Sequence, residues 1–222
     1  MAPRDRTALG DPARGIRAVL FDFGGVLSAS PFEAFARFEH ENGLPPGYIR
    51  SLNATDHHDN AWARLERGEV TIGEFVNLFE AEAVAAGHPV DGAAVLALLG
   101  GEIRPGMIRA VERCRERYLV GLLTNNFLSA EASERPGGVL DHVLQLFDEV
   151  IESSRVGVRK PEERFFEIAC EQLEIAPTEA VFLDDLGVNL KPARAMGMRT
   201  IKVLNEAQAL GELEELVGIP LS

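Results

Sequence analysis

Three short apolar segments that each end in polar residues constrain the fold more than any other feature of this sequence. The segments are AVLF before Asp22, LVGLL before Thr124, and AVFL before Asp184. Apolar runs of this length predict strands that are buried on both faces, as in a parallel sheet. The stretches between the later segments have helical patterns of about a dozen residues, which predict βαβ units with right-handed crossovers.

The predicted fold class is therefore α/β, with a Rossmann-like three-layer core in which helices cover both faces of a parallel sheet. Short apolar runs at 149–151 and 200–203 predict two further strands. After the first strand the pattern is helical up to about residue 100, and Thr71 and Glu74 form a capping-box pattern within it. We predict an α/β core domain, a helical cap domain and a flexible amino-terminal tail, at residues 15–28 with 101–222, 29–100 and 1–14 respectively.

The charge of the chain disfavours some classes of partner. It has 35 acidic and 22 basic residues, a formal net charge of −13, and no lysine and arginine run that would form a basic stripe. Nucleic acid and anionic membranes are therefore disfavoured as partners, and no apolar stretch is long enough to predict a transmembrane helix. Cys114 and Cys170 give neither a disulfide framework nor a metal-ligand spacing, which favours a reducing, cytoplasmic setting.

The polar residues after the strands are expected to meet, because parallel strands bring their carboxyl ends to one edge of the sheet. Asp22, Asp184 and Asp185 would repel one another there unless protonation or a divalent cation relieved the repulsion. Oxygen ligands with room for water suit Mg²⁺ better than a softer metal. We therefore predict Mg²⁺ as the cofactor bound at this edge.

The other polar residues near the strand ends favour phosphate chemistry. Thr124 offers a hydroxyl and Asn125 an amide to anionic oxygens, and Lys160 in the loop GVRKPEERFF supplies a cation. Asp22 on its own could be a nucleophile, a metal ligand or a cap for the following helix. Together, a carboxylate, a metal, a hydroxyl and a lysine predict a phosphoryl-transfer site that works by positioning and charge neutralisation.

Four motifs resemble, in the same order, those of the haloacid dehalogenase-like (HAD-like) hydrolase superfamily: FDFGGVL, LLTNN, RKP and VFLDDLGVNL. The resemblance extends from Ile16 to Leu221. Within the superfamily, FLDDLGVNLKPARAMGMRTIKV is closely similar to the amino-terminal phosphatase domain of soluble epoxide hydrolases and to the related domain of acyl-CoA dehydrogenase fusion proteins. The resemblance implies a HAD-like fold and a phosphatase that acts on a small phosphorylated metabolite.

The resemblance also implies a role for each residue that matches a motif. Asp22 would be the nucleophile that becomes an aspartyl-phosphate. Thr124 and Asn125 would bind the transferring phosphoryl group, and Lys160 would stabilise it. These four residues would make up the catalytic and phosphate-binding part of the site.

A metal site is implied in the same way. Asp22, Asp185 and the backbone carbonyl of Gly24 would bind Mg²⁺, with Asp184 acting through water and Asn189 supporting these ligands. Gly24 departs from the phosphatase pattern, which has a second aspartate two residues after the nucleophile as general acid and base. A carbonyl ligand needs no side chain, so the metal role is retained, but the general acid is missing.

Two other functions remain open from the sequence. A dehalogenase of the same superfamily would displace halide without a metal, but it would gain nothing from Asp184 and Asp185. A catalytically weak domain that binds a partner or a phosphorylated ligand is suggested by Gly24. Magnesium-dependent hydrolysis of a small phosphate monoester is the leading prediction.

Overall fold

The computed structural model describes Arg6, residues 9–125 and residues 138–221. Residues 1–5, 7 and 8 of the predicted tail lie outside this part, as does Asn126 at the end of the LLTNN motif. The described end of the predicted tail contacts the core. The Gly10 N–H donates to the Arg117 carbonyl at 2.7 Å, and Asp11 pairs with Ile16.

A five-stranded parallel sheet forms the centre of the α/β core. Its strands, in the spatial order β3-β2-β1-β4-β5, are β1 (Ala18–Phe21), β2 (Leu119–Thr124), β3 (Glu149–Glu152), β4 (Ala180–Asp184) and β5 (Arg199–Lys202). Phe21 at the end of β1 lies opposite Leu122 of β2 and Leu183 of β4. The predicted α/β class is confirmed, and the three strands that precede the polar residues are neighbours.

Helices follow the loop after β1, and they bury a hydrophobic cluster that is separate from those on the sheet. Phe75 and Phe79 stack there with 5.5 Å between ring centres, and Trp62 packs edge-on against both. The capping box predicted at Thr71 and Glu74 is confirmed. The helices are α1 (Pro31–Glu41), α2 (Tyr48–Ala54), α3 (Ala61–Glu66), α4 (Ile72–Ala85) and α5 (Gly92–Ala97).

Further helices cover both faces of the sheet. They are α6 (Pro105–Arg115), α7 (Val139–Leu144), α8 (Ser153–Val156), α9 (Glu163–Leu173), α10 (Gly187–Ala195) and α11 (Glu206–Val217). Alternate residues of β1 divide between the two faces, with Val19 and Phe21 in the cluster of α6 and α11, and Ala18 and Leu20 in that of α9 and α10. Among the described helices, none combines the length and the apolar character needed to cross a membrane.

At the edge that carries the polar residues, the bounds of several elements differ from the sequence prediction. β2 and β4 extend one residue past their apolar runs, because Thr124 and Asp184 still pair with the neighbouring strands. α9 begins at Glu163, after the loop that carries Lys160 at this edge. Thr124 and Asp184 thus lie within regular strand pairing, and Lys160 lies in the loop before α9.

Two linkers connect helices α1–α5 to the sheet, and they pair with each other. Ser28 and Ile103 form an antiparallel bridge, and the Ala29 N–H donates to the Glu102 carbonyl at 2.8 Å. A Cβ on Gly101 would lie 2.5 Å from the Ala29 carbonyl oxygen, so the linkers approach as closely as glycine allows. The segment from Ala29 to Glu102 therefore leaves and re-enters the core at one place.

Candidate active site

Asp22 follows β1 directly and begins a tight loop over Phe23–Leu27. The residue is 8% exposed, and its Oδ1 accepts a hydrogen bond from the Phe23 N–H at 2.7 Å. Gly25 has φ +74°, and a Cβ there would overlap the carboxylate of Asp185. Glycine therefore meets two needs of this loop, a left-handed backbone and a close approach of Asp185 to the Asp22 segment.

Lys160 supplies the cation of the site and is almost completely buried. Its ammonium lies 2.8 Å from Asp22 Oδ1 and 2.8 Å from Asp184 Oδ2, and it donates to the Leu123 carbonyl at 2.9 Å. Burial lowers the pKa of Lys160, but the charges of Asp184 and Asp22 outweigh it and leave the pKa above its ordinary value. The ammonium therefore stays charged, with an acceptor for each of its three hydrogens.

The adjacent carboxylates of Asp184 and Asp185 have different surroundings. Asp184 is fully buried and accepts from the Leu186 N–H at 2.7 Å, the Asn189 amide at 3.0 Å and the Lys160 ammonium at 2.8 Å. Asp185 is partly exposed and accepts from the Ser30 hydroxyl at 3.4 Å. Protein groups thus hold Asp184 in place, whereas Asp185 has more capacity to bind a ligand.

The three aspartates can reach a common cation. Asp22, Asp184 and Asp185 each offer a carboxylate oxygen, and these atoms lie within 4.8 Å of one another. Burial raises the pKa of Asp22 to about 8, although Lys160 lowers it, and burial and the charge of Asp184 raise the pKa of Asp185. Three carboxylates beside one ammonium leave an excess of negative charge, and their oxygen donors fit Mg²⁺.

Thr124 and Asn125 lie at the end of β2, beside the strand of Asp22. Thr124 is buried. The Asn125 side chain binds the Lys160 backbone twice, since its Oδ1 accepts from the Lys160 N–H at 2.9 Å and its Nδ2 donates to the Lys160 carbonyl at 2.9 Å. Nδ2 also donates to Glu66 at 3.1 Å. The predicted contact of Asn125 with a phosphoryl oxygen stays a prediction, because its amide N–H groups here bind protein oxygens.

The structure brings two further charged residues to this site, Glu66 and Arg159, to which the sequence analysis assigns no role. Glu66 is the last residue of α3, its carboxylate pairs with Arg159, and Arg159 also donates to the His57 carbonyl at 2.8 Å. Burial raises the pKa of Glu66, although Arg159 lowers it. Arg159 could have been found from the sequence, because it precedes Lys160 in the RKP motif. Glu66 lies 93 residues from Arg159 in the sequence and belongs to none of the four motifs.

Gly24 occupies a position that has room for a side chain. Its φ of −67° and ψ of 131° suit any residue, and a Cβ there would meet no described atom within 4 Å. The missing acid at this position is therefore not a consequence of crowding or of backbone conformation.

Known proteins are similar to this chain in sequence and in fold. A family model described as haloacid dehalogenase-like hydrolase matches residues 16–197. Mouse acyl-CoA dehydrogenase family member 10 is 38% identical over 217 residues, which are 94% of this chain and 20% of that protein. Pig bifunctional epoxide hydrolase 2 is 33% identical over 224 residues, which are 93% of this chain and 40% of that protein. The chain thus spans about a fifth and about two fifths of these relatives.

A shorter relative and two solved structures match along most of their own length. A phosphatase from Mycobacterium tuberculosis is 30% identical over 213 residues, 87% of this chain and 89% of that protein. A magnesium complex of a HAD-family enzyme from Bacteroides thetaiotaomicron has a TM-score of 0.60 and 24% identity, and covers 84% of this chain and 92% of its own. A dehalogenase with an intermediate complex has a TM-score of 0.65 and 18% identity, and covers 92% of this chain and 98% of its own. The solved structures share this fold.

Proposed function

The chain belongs to the haloacid dehalogenase-like hydrolase family, and we propose that it is a magnesium-dependent phosphatase that acts on small phosphate monoesters. The observation that carries the proposal is one buried ammonium, that of Lys160, 2.8 Å from both Asp22 and Asp184. A carboxylate nucleophile beside a fixed cation, with further acids that would hold Mg²⁺, suits a substrate that is itself an anion. The phosphatase relative, matched along 89% of its length, supports the same reaction.

In the proposed reaction, Asp22 attacks the phosphorus atom with a carboxylate oxygen. The bond from phosphorus to the leaving oxygen breaks, that oxygen takes a proton, and an aspartyl-phosphate forms. Water then attacks the aspartyl-phosphate and releases inorganic phosphate and the free carboxylate. The Phe23 N–H and the Lys160 ammonium both contact Oδ1 of Asp22, so they orient the carboxylate and leave Oδ2 open to other partners.

The neighbouring residues would hold charge and orientation. Lys160 and the Thr124 hydroxyl would stabilise the phosphoryl oxygens, together with Asn125. Mg²⁺ would supply further charge neutralisation at those oxygens when bound by the residues that form its site. Those residues are Asp22, the Gly24 carbonyl and Asp185, with Asp184 acting through water and held by Asn189.

Gly24 leaves the reaction without the carboxyl group that would protonate the leaving oxygen. We propose that water or a group of the substrate supplies this proton. Leaving groups that are stable anions need little protonation, so aryl phosphates should be hydrolysed more readily than alkyl phosphates.

The helices between residues 29 and 100 would form the cap domain that closes over this edge and excludes water. Ser30 and Glu66 already reach the core from that segment, through Asp185 and Asn125. The residues that determine specificity among phosphate monoesters would lie on the cap. Cys114 and Cys170 are free and buried, which is compatible with the cytoplasmic setting predicted from the sequence.

The test is phosphate release from p-nitrophenyl phosphate by the purified chain, with Mg²⁺ and with excess chelator. We expect turnover in Mg²⁺ and its loss in chelator. Full activity in chelator would contradict the magnesium requirement. Halide release from a 2-haloacid, without phosphate release from any aryl phosphate, would assign the dehalogenase reaction instead.

A further inference from the structure

We propose that Glu66 is a positioning residue that links the packing of α3 on the core to the position of Lys160. The inference rests on the proposed function, because Lys160 is the cation of that site, and it extends the machinery to a residue outside the four motifs. Its basis is a series of hydrogen bonds that runs from Glu66 through Asn125 to Lys160 and Asp22.

The first contact in the series joins α3 to the core. The Glu66 side chain is 21% exposed, pairs with Arg159, and accepts from Asn125 Nδ2 at 3.1 Å. The next glycine along, Gly68, approaches α8 so closely that a Cβ would lie 2.5 Å from the Ser154 carbonyl oxygen. This end of α3 therefore packs closely against the core, and from this position Glu66 contacts Asn125.

The second contact fixes the Lys160 backbone. Asn125 accepts from the Lys160 N–H and donates to the Lys160 carbonyl, both at 2.9 Å. The amide nitrogen has two hydrogens, and the second one is donated to Glu66. With the Glu66 carboxylate in place, the amide oxygen and both amide hydrogens have partners. Without it, one N–H loses its partner, and only the two bonds to the Lys160 backbone hold the amide, so its position is less fixed.

The third contact is the one that affects chemistry. The Lys160 ammonium lies 2.8 Å from Asp22 Oδ1, so movement of the lysine backbone moves the cation relative to the nucleophile. Misplacement by about 1 Å at a reacting centre can lower a rate by about 10². Loss of Glu66 should therefore lower kcat more than it affects substrate binding.

A simple ion pair between Glu66 and Arg159 that only holds α3 down would behave differently. An ion pair needs both partners, so removal of Arg159 would be as harmful as removal of Glu66. In the positioning role, Glu66 still accepts from Asn125 when Arg159 is absent. The substitution Glu66→Gln also keeps an acceptor oxygen for Asn125 at this position. That variant should therefore retain most of the native kcat.

The experiment compares Glu66→Leu, Glu66→Gln and Arg159→Met with a matched control, Glu69→Leu. Glu69 pairs with Arg67 at 2.6 Å within the same segment and has no described contact with Asn125. With p-nitrophenyl phosphate and Mg²⁺, we expect kcat to fall about tenfold to 10²-fold in Glu66→Leu with little change in KM. Glu66→Gln, Arg159→Met and Glu69→Leu should stay within about threefold of the native chain, well below that loss. Equal losses in Glu66→Leu and Arg159→Met would overturn the proposal.

Amide hydrogen exchange of Lys160, followed by NMR, tests the same idea without any activity. The Lys160 N–H should exchange faster in Glu66→Leu than in Glu69→Leu, because its acceptor on Asn125 is less fixed. Unchanged exchange in a folded Glu66→Leu, or in Glu66→Ala if the leucine variant does not fold, would refute the positioning role. A native chain that hydrolyses no phosphate monoester would refute the proposed function alone, and the exchange result would still stand.

Discussion

Buried acids at the sheet edge and in residues 29–100, the cap segment of the proposed function, are used in different ways. In the cap segment, the carboxylate of Glu39 is buried and accepts from the Gly47 and Ile49 N–H groups, at 2.7 and 2.9 Å. At the sheet edge, Asp22 and Asp184 share one ammonium, and both approach Asp185. Acids that each bind their own N–H groups stabilise a fold, whereas acids that face one another lower its stability and indicate a site that binds a cation.

This contrast predicts that the two kinds of acid differ in what their loss changes. Substitution of Asp22 or Asp185 at the edge should change catalysis or metal binding, whereas substitution of Glu39 in the cap segment should change stability. The following variants test whether losses of activity and losses of stability separate in this way.

The largest expected effect is that of Asp22→Asn. We expect kcat for p-nitrophenyl phosphate in Mg²⁺ to fall on the order of 10⁴-fold or more, because the proposed nucleophile is lost. The matched cap variant is Glu39→Gln, which should keep near-native kcat but lose about 1–3 kcal/mol of unfolding free energy, because one of the two backbone N–H groups loses its acceptor. Activity of Asp22→Asn within tenfold of the native chain would end its assignment as nucleophile.

The next effect is a gain of function in Gly24→Asp. The added side chain has room, and a carboxyl there could protonate the leaving oxygen. Turnover of alkyl phosphates should rise by about 10², at the low end of the range for general acid catalysis, with a smaller change for aryl phosphates. Circular dichroism checks that the loop is intact. If the native chain already treats both classes alike, another group donates the proton.

A third effect separates Asp185 from Asp184 within the edge itself. Asp185→Ala should raise the Mg²⁺ concentration for half-maximal activity at least about tenfold, since an oxygen ligand is lost. Its thermal stability without Mg²⁺ should stay equal or rise, because the buried acids repel less. Asp184→Ala should instead lose about 3–5 kcal/mol of stability, because the buried Lys160 ammonium loses a partner. Equal behaviour of the two variants would contradict their different surroundings.

The smallest effect concerns the linkers, for which two adjacent glycines form a matched pair. A Cβ on Gly101 would press on the Ala29 carbonyl, whereas one on Gly100 would lie 4.0 Å from its nearest atom. Gly101→Ala should cost about 1–3 kcal/mol of stability through overpacking and change kcat severalfold if the linkers act as hinges. Gly100→Ala should be near native in both measurements. Similar results for the two variants would contradict a hinge role of the linkers in cap closure.

The sheet and its polar edge could be predicted from the sequence because each strand carries its own local signal. An apolar run that ends in Asp22, Thr124 or Asp184 fixes both the strand and the edge to which its polar residue belongs. Glu66 could not be found in this way. Its contact with Asn125 depends on how α3 sits on the core, which is set by packing between segments far apart in sequence.

The position of β1 in the sheet also affects how this chain can fold as it is synthesised. β1 is the first strand of the sheet to leave the ribosome, yet it lies between strands that begin at Leu119 and Ala180. Helices α1–α5 can pack from local contacts while β1 still lacks both partners. β1, which ends just before Asp22, therefore stays apolar and unpaired until most of the chain has been made. We expect folding of the sheet to be slow compared with the helices, and the half-made chain to depend on chaperones to prevent aggregation.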